Sequence, residues 1–432
     1  MDITLIPSAL GGIVRIPTSK SEAHRLLIVA ALSALYNNES VTRTYFIECT
    51  DTNEDIDATV RCLCGLGAQI SRCDNGFLVT PITRDALEAI PDGTCIDCGE
   101  SGSTLRFLLP IIPALGLNVR IQMHGRLSSR PLSPLYEELA SHGAVLSEQG
   151  VNPMAVGGLL TGRDFRIRGD VSSQFVSGLL FALPLLAEEC TLTVTDKIES
   201  APYINMTLDA ISKFTDKVSG GLPDFNISSV GNAKSSALTA AGDWSGAAFW
   251  LAAGVIGKRA VEIRGVDVDT RQGDFKIIDV LRSFGGKIEV TDNGIIAYPS
   301  KLSATSVDAS QIPDLVPIVA TVASIARGET HIYGAARLRL KESDRLMSVT
   351  KMLSALGADI TELDDGLIIK GVKHLIGGTV DACADHRIAM SAGIAATVCS
   401  SPVTVIGAHC VAKSYPAFWE DYKALGGKFE NE

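Results

Sequence analysis

The feature that most constrains this chain is a repeat. A helix-like run that ends in a glycine-bearing turn before a strand first occurs as Leu63-Cys64-Gly65-Leu66-Gly67-Ala68-Gln69-Ile70, and returns around Gly143, Gly285, Gly357 and Gly426. The spacing is about 70 residues, or twice that across one gap, the mark of a repeated supersecondary unit. Each glycine is read as a left-handed helix C-cap. The gap predicts a sixth copy near residue 215, where Ile211-Ser212-Lys213-Phe214-Thr215-Asp216-Lys217-Val218 carries Thr in place of Gly. Gly220-Gly221-Leu222-Pro223 then reads as a loop, and 215–241 is expected to be locally remodelled.

A second series interleaves with the first. Six apolar, small-residue-rich runs each follow a polar cluster: Leu26 to Leu35, Phe107 to Leu115, Phe175 to Ala187, Ala247 to Ile256, Leu315 to Ala326 and Ile388 to Val398. Each unit therefore holds one nearly all-apolar helix, which must be buried, and one amphipathic helix to cover it. Strands rich in Val, Ile and Thr lie between, such as Thr191-Leu192-Thr193-Val194 and Ala260-Val261-Glu262-Ile263. Six such α/β units pack sensibly as two domains of three, divided in the irregular region between Thr215 and Gly242.

Composition narrows the function. A net charge of −11 over 432 residues argues against a nucleic-acid partner, yet allows a local basic site for small anions. The apolar runs fall short of the roughly 20 residues that span a bilayer, and Met1-Asp2-Ile3-Thr4 opens no signal peptide, so a cytoplasmic protein is expected. The ten cysteines are expected to be reduced. Cys95-Ile96-Asp97-Cys98 is a lone CxxC without a second pair or a histidine at zinc spacing, so no metal is expected there.

The cations are harder to absorb into structure. Ser172 and Asp243 read as ordinary N-caps, but Lys20, Arg25, Arg106 and Arg387 sit at or just inside helix N-termini, against the dipole. Arg337-Leu338-Arg339-Leu340-Lys341-Glu342-Ser343-Asp344-Arg345 holds six charges in nine residues between apolar flanks. If its first half is extended, Arg337, Arg339 and Lys341 share a face. If a helix starts near Glu342, Arg345 lies in its first turn. The stretch is either a self-paired solvated turn or an anion site with Glu342 as proton carrier. With Arg130, which Pro131 holds extended, and Lys413, these form a dispersed basic set. Asp314 and Glu342 are the acidic partners. Nucleophile-elbow, Walker A and dinucleotide fingerprints all fail.

Taken together, Ser19-Lys20-Ser21 with Arg25, Ser101-Gly102-Ser103 with Arg106, Arg130-Pro131, Val171-Ser172-Ser173-Gln174-Phe175, Ser200 with Tyr203, Ile312-Pro313-Asp314, Lys341-Glu342-Ser343-Asp344-Arg345, Asp385-His386-Arg387 and Ala412-Lys413 resemble the 5-enolpyruvylshikimate-3-phosphate synthase family, from Pro17 to about Trp419. The resemblance implies an α/β fold of two domains, each of three βαβαββ-type units around buried central helices, an inverse α/β prism. The domains would be 18–240, and 1–17 with 241–432, closing over a cleft with two crossovers. It implies transfer of the enolpyruvyl group of phosphoenolpyruvate to the 5-hydroxyl of shikimate 3-phosphate, with release of phosphate and no cofactor or metal.

By position, Lys20, Ser21, Arg25, Ser172, Ser173, Gln174, Ser200, Tyr203, Asp314 and Lys341 would hold shikimate 3-phosphate. Lys20, Gly102, Arg130, Gln174, Lys341, Arg345, Arg387 and Lys413 would hold phosphoenolpyruvate. Asp314 is the implied base and Glu342 the implied acid, with Lys20 or Lys341 as alternative proton carriers. Thr18, His24 and Ser103 depart from the commoner Gly, Asn and Thr, and Arg337 stands where some members use Asn. The neighbouring family, UDP-N-acetylglucosamine enolpyruvyl transferase, typically has Lys-Asn at Lys20-Ser21 and a reactive loop cysteine; no cysteine lies between Arg126 and Pro131. A non-catalytic anion-binding homologue is the alternative of another class. A monomer is expected.

Overall fold

The computed structural model describes residues 1–39, 43–234 and 238–431. The chain forms two compact units, one continuous, Thr18–Ala241, and one discontinuous, Met1–Pro17 with Gly242–Glu432. Each has its own apolar core.

Among the described residues, six small sheets follow one plan. A central strand pairs in parallel with an edge strand on one side and antiparallel with a further pair of strands on the other, a hairpin except where Ile3–Ile6 and Lys428–Asn431 form that pair. In Thr94–Asp97, Val119–Gln122, Met154–Gly158 and Ala144–Leu146 the first two are parallel and the rest antiparallel. The sheet built on Cys190–Thr195 and that built on Glu329–Tyr333 repeat this order. In the sheet of Tyr45–Glu48, Gly76–Thr80 and Gln69–Cys73 the parallel edge shrinks to a bridge between Glu48 and Thr239, held by Glu48 N–H to Leu238 O (2.8 Å) and Ala240 N–H to Glu48 O (2.9 Å).

The start of the chain completes two sheets of the discontinuous unit. Ile3–Ile6 lies between Val403–Ile406 and Lys428–Asn431, antiparallel to both. Gly12–Arg15 is the parallel edge beside Val261–Arg264.

The six apolar helices are Lys20–Tyr36, Gly102–Ala114, Ser173–Ala182, Trp244–Ile256, Val316–Ala323 and His386–Ala396. Every residue of Trp244–Ile256 is buried, as an apolar run without a polar face requires. The run from Phe175 is shorter than expected: a 3-10 turn, Leu183–Leu185, replaces the helix at Pro184. The covering helices are Glu54–Gly65, Leu135–Ser141, Ala201–Ser212, Ile277–Ser283, Arg345–Ala355 and Phe418–Ala424.

The five repeat glycines all adopt positive φ, from +86° at Gly357 to +98° at Gly67 and Gly426. The sixth copy ends otherwise. Thr215 N–H closes onto Ile211 O (3.0 Å), and Phe214 O accepts from Asn37 Nδ2 (3.2 Å) and Lys234 N–H (3.0 Å), so no left-handed residue is needed. The expected loop at Gly220 is corrected. Val218–Gly221 is a strand paired with Asp224–Ile227, and only Leu222-Pro223 turns. Of 215–241, residues 235–237 lie outside the described residues.

Candidate active site

In the continuous unit most candidate residues lie at the N-termini of three apolar helices, while Arg130 follows a short 3-10 turn and Ser200 and Tyr203 open the covering helix Ala201–Ser212. Lys20 opens the first helix, and its Nζ lies 2.9 Å from Asp55 Oδ2. Arg25, one turn on, is buried. Its Nε donates to Thr207 Oγ1 (2.8 Å), Nη1 to Ser21 O (2.7 Å) and Nη2 to Tyr203 O (3.0 Å), with Phe107 and Tyr203 rings beside the guanidinium. Burial pulls Arg25 down to about 10, against the pull of Tyr203 and Glu22, and it remains a cation at neutral pH. Thus Lys20, Ser21, Arg25 and Tyr203 are brought together.

Gly102 begins the second helix, capped by Ser101 Oγ accepting from Thr104 N–H (3.3 Å). A Cβ at Gly102 would stand 2.5 Å from Arg130 Nη1 and 3.2 Å from Arg106 Nη1, so only glycine lets both guanidiniums close over this turn. Arg130 has the extended backbone expected before Pro131 (φ −78°, ψ 133°). Arg106 Nη1 donates to Gln174 Oε1 (2.9 Å). Gln174 comes close because Gly178 packs on the carbonyl of Arg106, 2.4 Å from where its Cβ would be. Pro110 has no N–H for that carbonyl, so the helix gives up a backbone bond where its neighbour approaches. Ser172 caps its helix through Gln174 N–H (3.3 Å), with Ser173 the first helical residue. Ser200 holds a left-handed backbone (φ 54°) before Ala201–Ser212, a conformation unfavourable for a non-glycine residue.

The discontinuous unit carries a denser cluster. Arg345 is 1% exposed, and its guanidinium binds three carboxylates. Nε meets Asp385 Oδ2 (2.8 Å), Nη1 meets Asp314 Oδ1 (2.7 Å) and Nη2 meets Glu342 Oε2 (2.7 Å). Arg387 Nη2 holds the other Asp314 oxygen at 3.0 Å, and Lys341 Nζ lies 3.5 Å from Asp314 Oδ1. Burial favours the neutral acid of Asp314, but Arg387, Lys341 and Arg345 outweigh it and hold the carboxyl well below its usual range. Burial pulls Lys341 down to about 8, aided by Arg345 and Arg337 and opposed by Asp314 and Glu342. Lys413 Nζ donates to Ala384 O (2.9 Å), bracing the positive-φ residues Cys383 and Ala384 before the Asp385 cap.

One reading of the charged stretch is corrected and one holds. Ala336–Leu340 is a 3-10 helix rather than a strand, so Arg337, Arg339 and Lys341 do not share a face. Arg337 turns inward to Ser310 O (3.0 Å), while Arg339 turns outward to Glu362 and Asp344. The following helix starts at Arg345, capped by Asp344, so Arg345 does lie in its first turn. The self-paired solvated reading fits Arg339 and its partner Asp344.

Some site residues left no sequence signal. Asp274 is buried and accepts from the Ser245 hydroxyl. Burial first, then the charge of Asp314, raises it to about 6. Thr59 and Thr104 belong to a hydroxyl network around His24, and nothing in their spacing announces it. Among the described residues no group of His, Cys, Asp or Glu could hold a metal, and Cys95 is exposed while Cys98 is buried.

Repeated six-unit architecture and basic helix starts define an α/β class seen in enolpyruvyl transferases. An EPSP synthase from Acinetobacter baumannii superposes at TM-score 0.78 over 100% of both chains, at 24% identity. The enolpyruvyl transferase NikO from Streptomyces tendae superposes at 0.75, at 18% identity, covering 99% of this chain and 98% of that one. The family model for EPSP synthase (3-phosphoshikimate 1-carboxyvinyltransferase) matches residues 5–422, and the chain belongs to that family. A 3-phosphoshikimate 1-carboxyvinyltransferase from Clostridium kluyveri is 41% identical over 430 residues, 99% of this chain and 98% of the relative. One from Clostridium perfringens is 41% identical over 435 residues, 100% and 99% respectively.

Proposed function

We propose that this chain moves the enolpyruvyl group of phosphoenolpyruvate onto the 5-hydroxyl of shikimate 3-phosphate and releases phosphate. One observation carries the assignment of roles: a single buried guanidinium, Arg345, holds both Asp314 and Glu342, with Lys341 and Arg387 against Asp314. A base and an acid are thereby kept side by side among cations that suit an anionic donor.

Asp314 takes the proton of the attacking hydroxyl as the oxygen bonds to C2 of phosphoenolpyruvate. Free of substrate it is too well stabilised to be a strong base; two anionic substrates beside Arg387 and Lys341 would offset those cations and raise its proton affinity. Glu342 gives the proton that the methylene carbon gains, with Lys341 and Lys20 as alternative carriers. The tetrahedral adduct then loses phosphate and the added methyl-carbon proton, restoring the enol ether. Lys20, Ser21, Arg25, Ser172, Ser173, Gln174, Ser200 and Tyr203 hold shikimate 3-phosphate, with Asp314 and Lys341. Gly102, Arg130, Arg345, Arg387 and Lys413 hold phosphoenolpyruvate, with Lys20, Gln174 and Lys341. The proposed enzyme is a cytoplasmic monomer that needs no metal, cofactor or nucleic acid.

The test is phosphate release from phosphoenolpyruvate with shikimate 3-phosphate in one tube and UDP-N-acetylglucosamine in another. Release in the first alone is expected. Release in the second alone would overturn the acceptor, and silence in both with phosphoenolpyruvate still bound would favour a binding homologue.

A further inference from the structure

Beneath the Ser101-Gly102-Ser103 turn lies a ring of side chains from three helices. Ser101 Oγ is 3.2 Å from Ser103 Oγ, which is 3.1 Å from His24 Nε2. His24 Nδ1 is 2.5 Å from Thr59 Oγ1, which is 2.7 Å from Thr104 Oγ1, and Thr104 Oγ1 donates to Ser101 Oγ at 2.7 Å. His24, Thr59, Ser101 and Thr104 are all at most 1% exposed; Ser103 is only partly buried.

The proton count closes the ring, and one known donor sets its sense. Four hydroxyls and a neutral imidazole bring five protons to five links, so each group donates once and accepts once around the ring. Thr104 Oγ1 donates to Ser101 Oγ, which also receives Thr104 N–H. Ser101 then donates to Ser103, Ser103 to His24 Nε2, His24 Nδ1–H to Thr59, and Thr59 to Thr104. The carbonyl of Asp55, 3.3 Å from Thr59 Oγ1, is a longer alternative acceptor. An imidazolium would bring a sixth proton. Ser103 would then accept twice, and its own proton would have to turn out of the ring.

We propose that His24 is a positioning residue for phosphoenolpyruvate: a neutral, Nδ1-protonated imidazole closes this one-way ring, fixes the Ser101-Gly102-Ser103 turn, and keeps the Ser103 hydroxyl proton directed inward. The anion then meets the backbone amides that open the helix, with Arg130 and Arg106 above, and not the Ser103 hydroxyl proton. The charged groups around the ring agree with a neutral imidazole. Lys20 and Arg25 flank His24 on its own helix, and Asp55 of the next helix is already paired with Lys20. Burial, then Lys20 and Arg25, hold His24 well below the usual histidine range. The choice of phosphoenolpyruvate rests on the assignment of Gly102 under Proposed function.

The test combines a spectrum with kinetics. Long-range proton–nitrogen correlation on the 15N-labelled full chain should show His24 with Nδ1 protonated and Nε2 bare, unchanged between about pH 6 and 8. An Nε2–H tautomer, or an imidazolium at neutral pH, would overturn the ring whatever the chain's activity. His24→Leu should raise the KM for phosphoenolpyruvate about tenfold while kcat falls by less. His24→Asn, which keeps one donor and one acceptor, should recover most of that loss, and it serves if the Leu variant fails to fold. Equal loss in both variants would reduce His24 to packing. A rise confined to the KM for shikimate 3-phosphate, with the expected spectrum, would leave the ring standing and overturn the assignment of this turn to phosphoenolpyruvate.

Discussion

Asp314 answers to three cations, and this sets what its removal should do. Asp314→Ala should cut kcat by about 10²–10⁴-fold. The KM for phosphoenolpyruvate should hold or fall, because Arg345, Arg387 and Lys341 lose a competing carboxylate. Steady-state kinetics decides, and turnover equal to the parent would remove Asp314 as the base. Lys341 gives a pH prediction. Its lowered pKa, about 8, means that the anion-attracting charge is present below that pH and lost above it. The kcat/KM for phosphoenolpyruvate should therefore fall above about pH 8, and Lys341→Arg should move the limb upward, since Arg keeps its charge. A limb that stays in place in the Arg variant would assign it elsewhere. The sequence displayed Lys341, Glu342 and Arg345 as a charge run. It could not show that Arg345 spends its fork on Asp385, Asp314 and Glu342, because two of those partners lie far along the chain.

At the scale of elements, the repeat glycines were legible because each stands at a helix end where a left-handed residue is needed, and the needs are local. Their surroundings differ, which makes them separable. A Cβ at Gly143 would lie 2.5 Å from Leu159 O, whereas at Gly426 the nearest atom, Ala9 O, is 3.4 Å away. Gly426→Ala should cost about 1–2 kcal/mol for the left-handed backbone alone. Gly143→Ala should cost distinctly more, because a backbone carbonyl must also move. Denaturant unfolding of the two variants measures this, and equal losses would show that conformation alone governs these caps. The sixth helix end was not legible in detail. Its partners, Asn37 and Lys234, come from distant segments that no local pattern connects. The extended reading of Arg337 to Lys341 failed for a related reason: Arg337 is drawn inward to Ser310 O, which breaks alternation.

In the whole molecule, each unit depends on which residues finish its sheets. Periodicity could count six α/β units, yet it could not assign Met1–Pro17, since a strand of four residues carries no address; that expectation came from the family resemblance alone. In the fold, Ile3–Ile6 is hydrogen-bonded on both sides, and Gly12–Arg15 closes the edge of a second sheet. Thr18–Ala241, by contrast, supplies every strand of its sheets among the described residues, including the short parallel edge at Thr239. Two deletions should therefore behave differently. A fragment of residues 18–241 should fold, giving a dispersed amide spectrum and a cooperative melt. A chain lacking 1–17 should lose the second unit, because Val403–Ile406 and Lys428–Asn431 would be separated by a missing central strand with unpaired backbone groups on both flanks. Adding residues 1–17 back as a peptide should then restore order to that unit, since its two strands dock by backbone pairing and bury Ile3, Leu5 and Val14. If the truncated chain instead melts like the parent, the strand pairing at the start of the chain contributes little, and the core around Trp244–Ile256 holds the unit by itself.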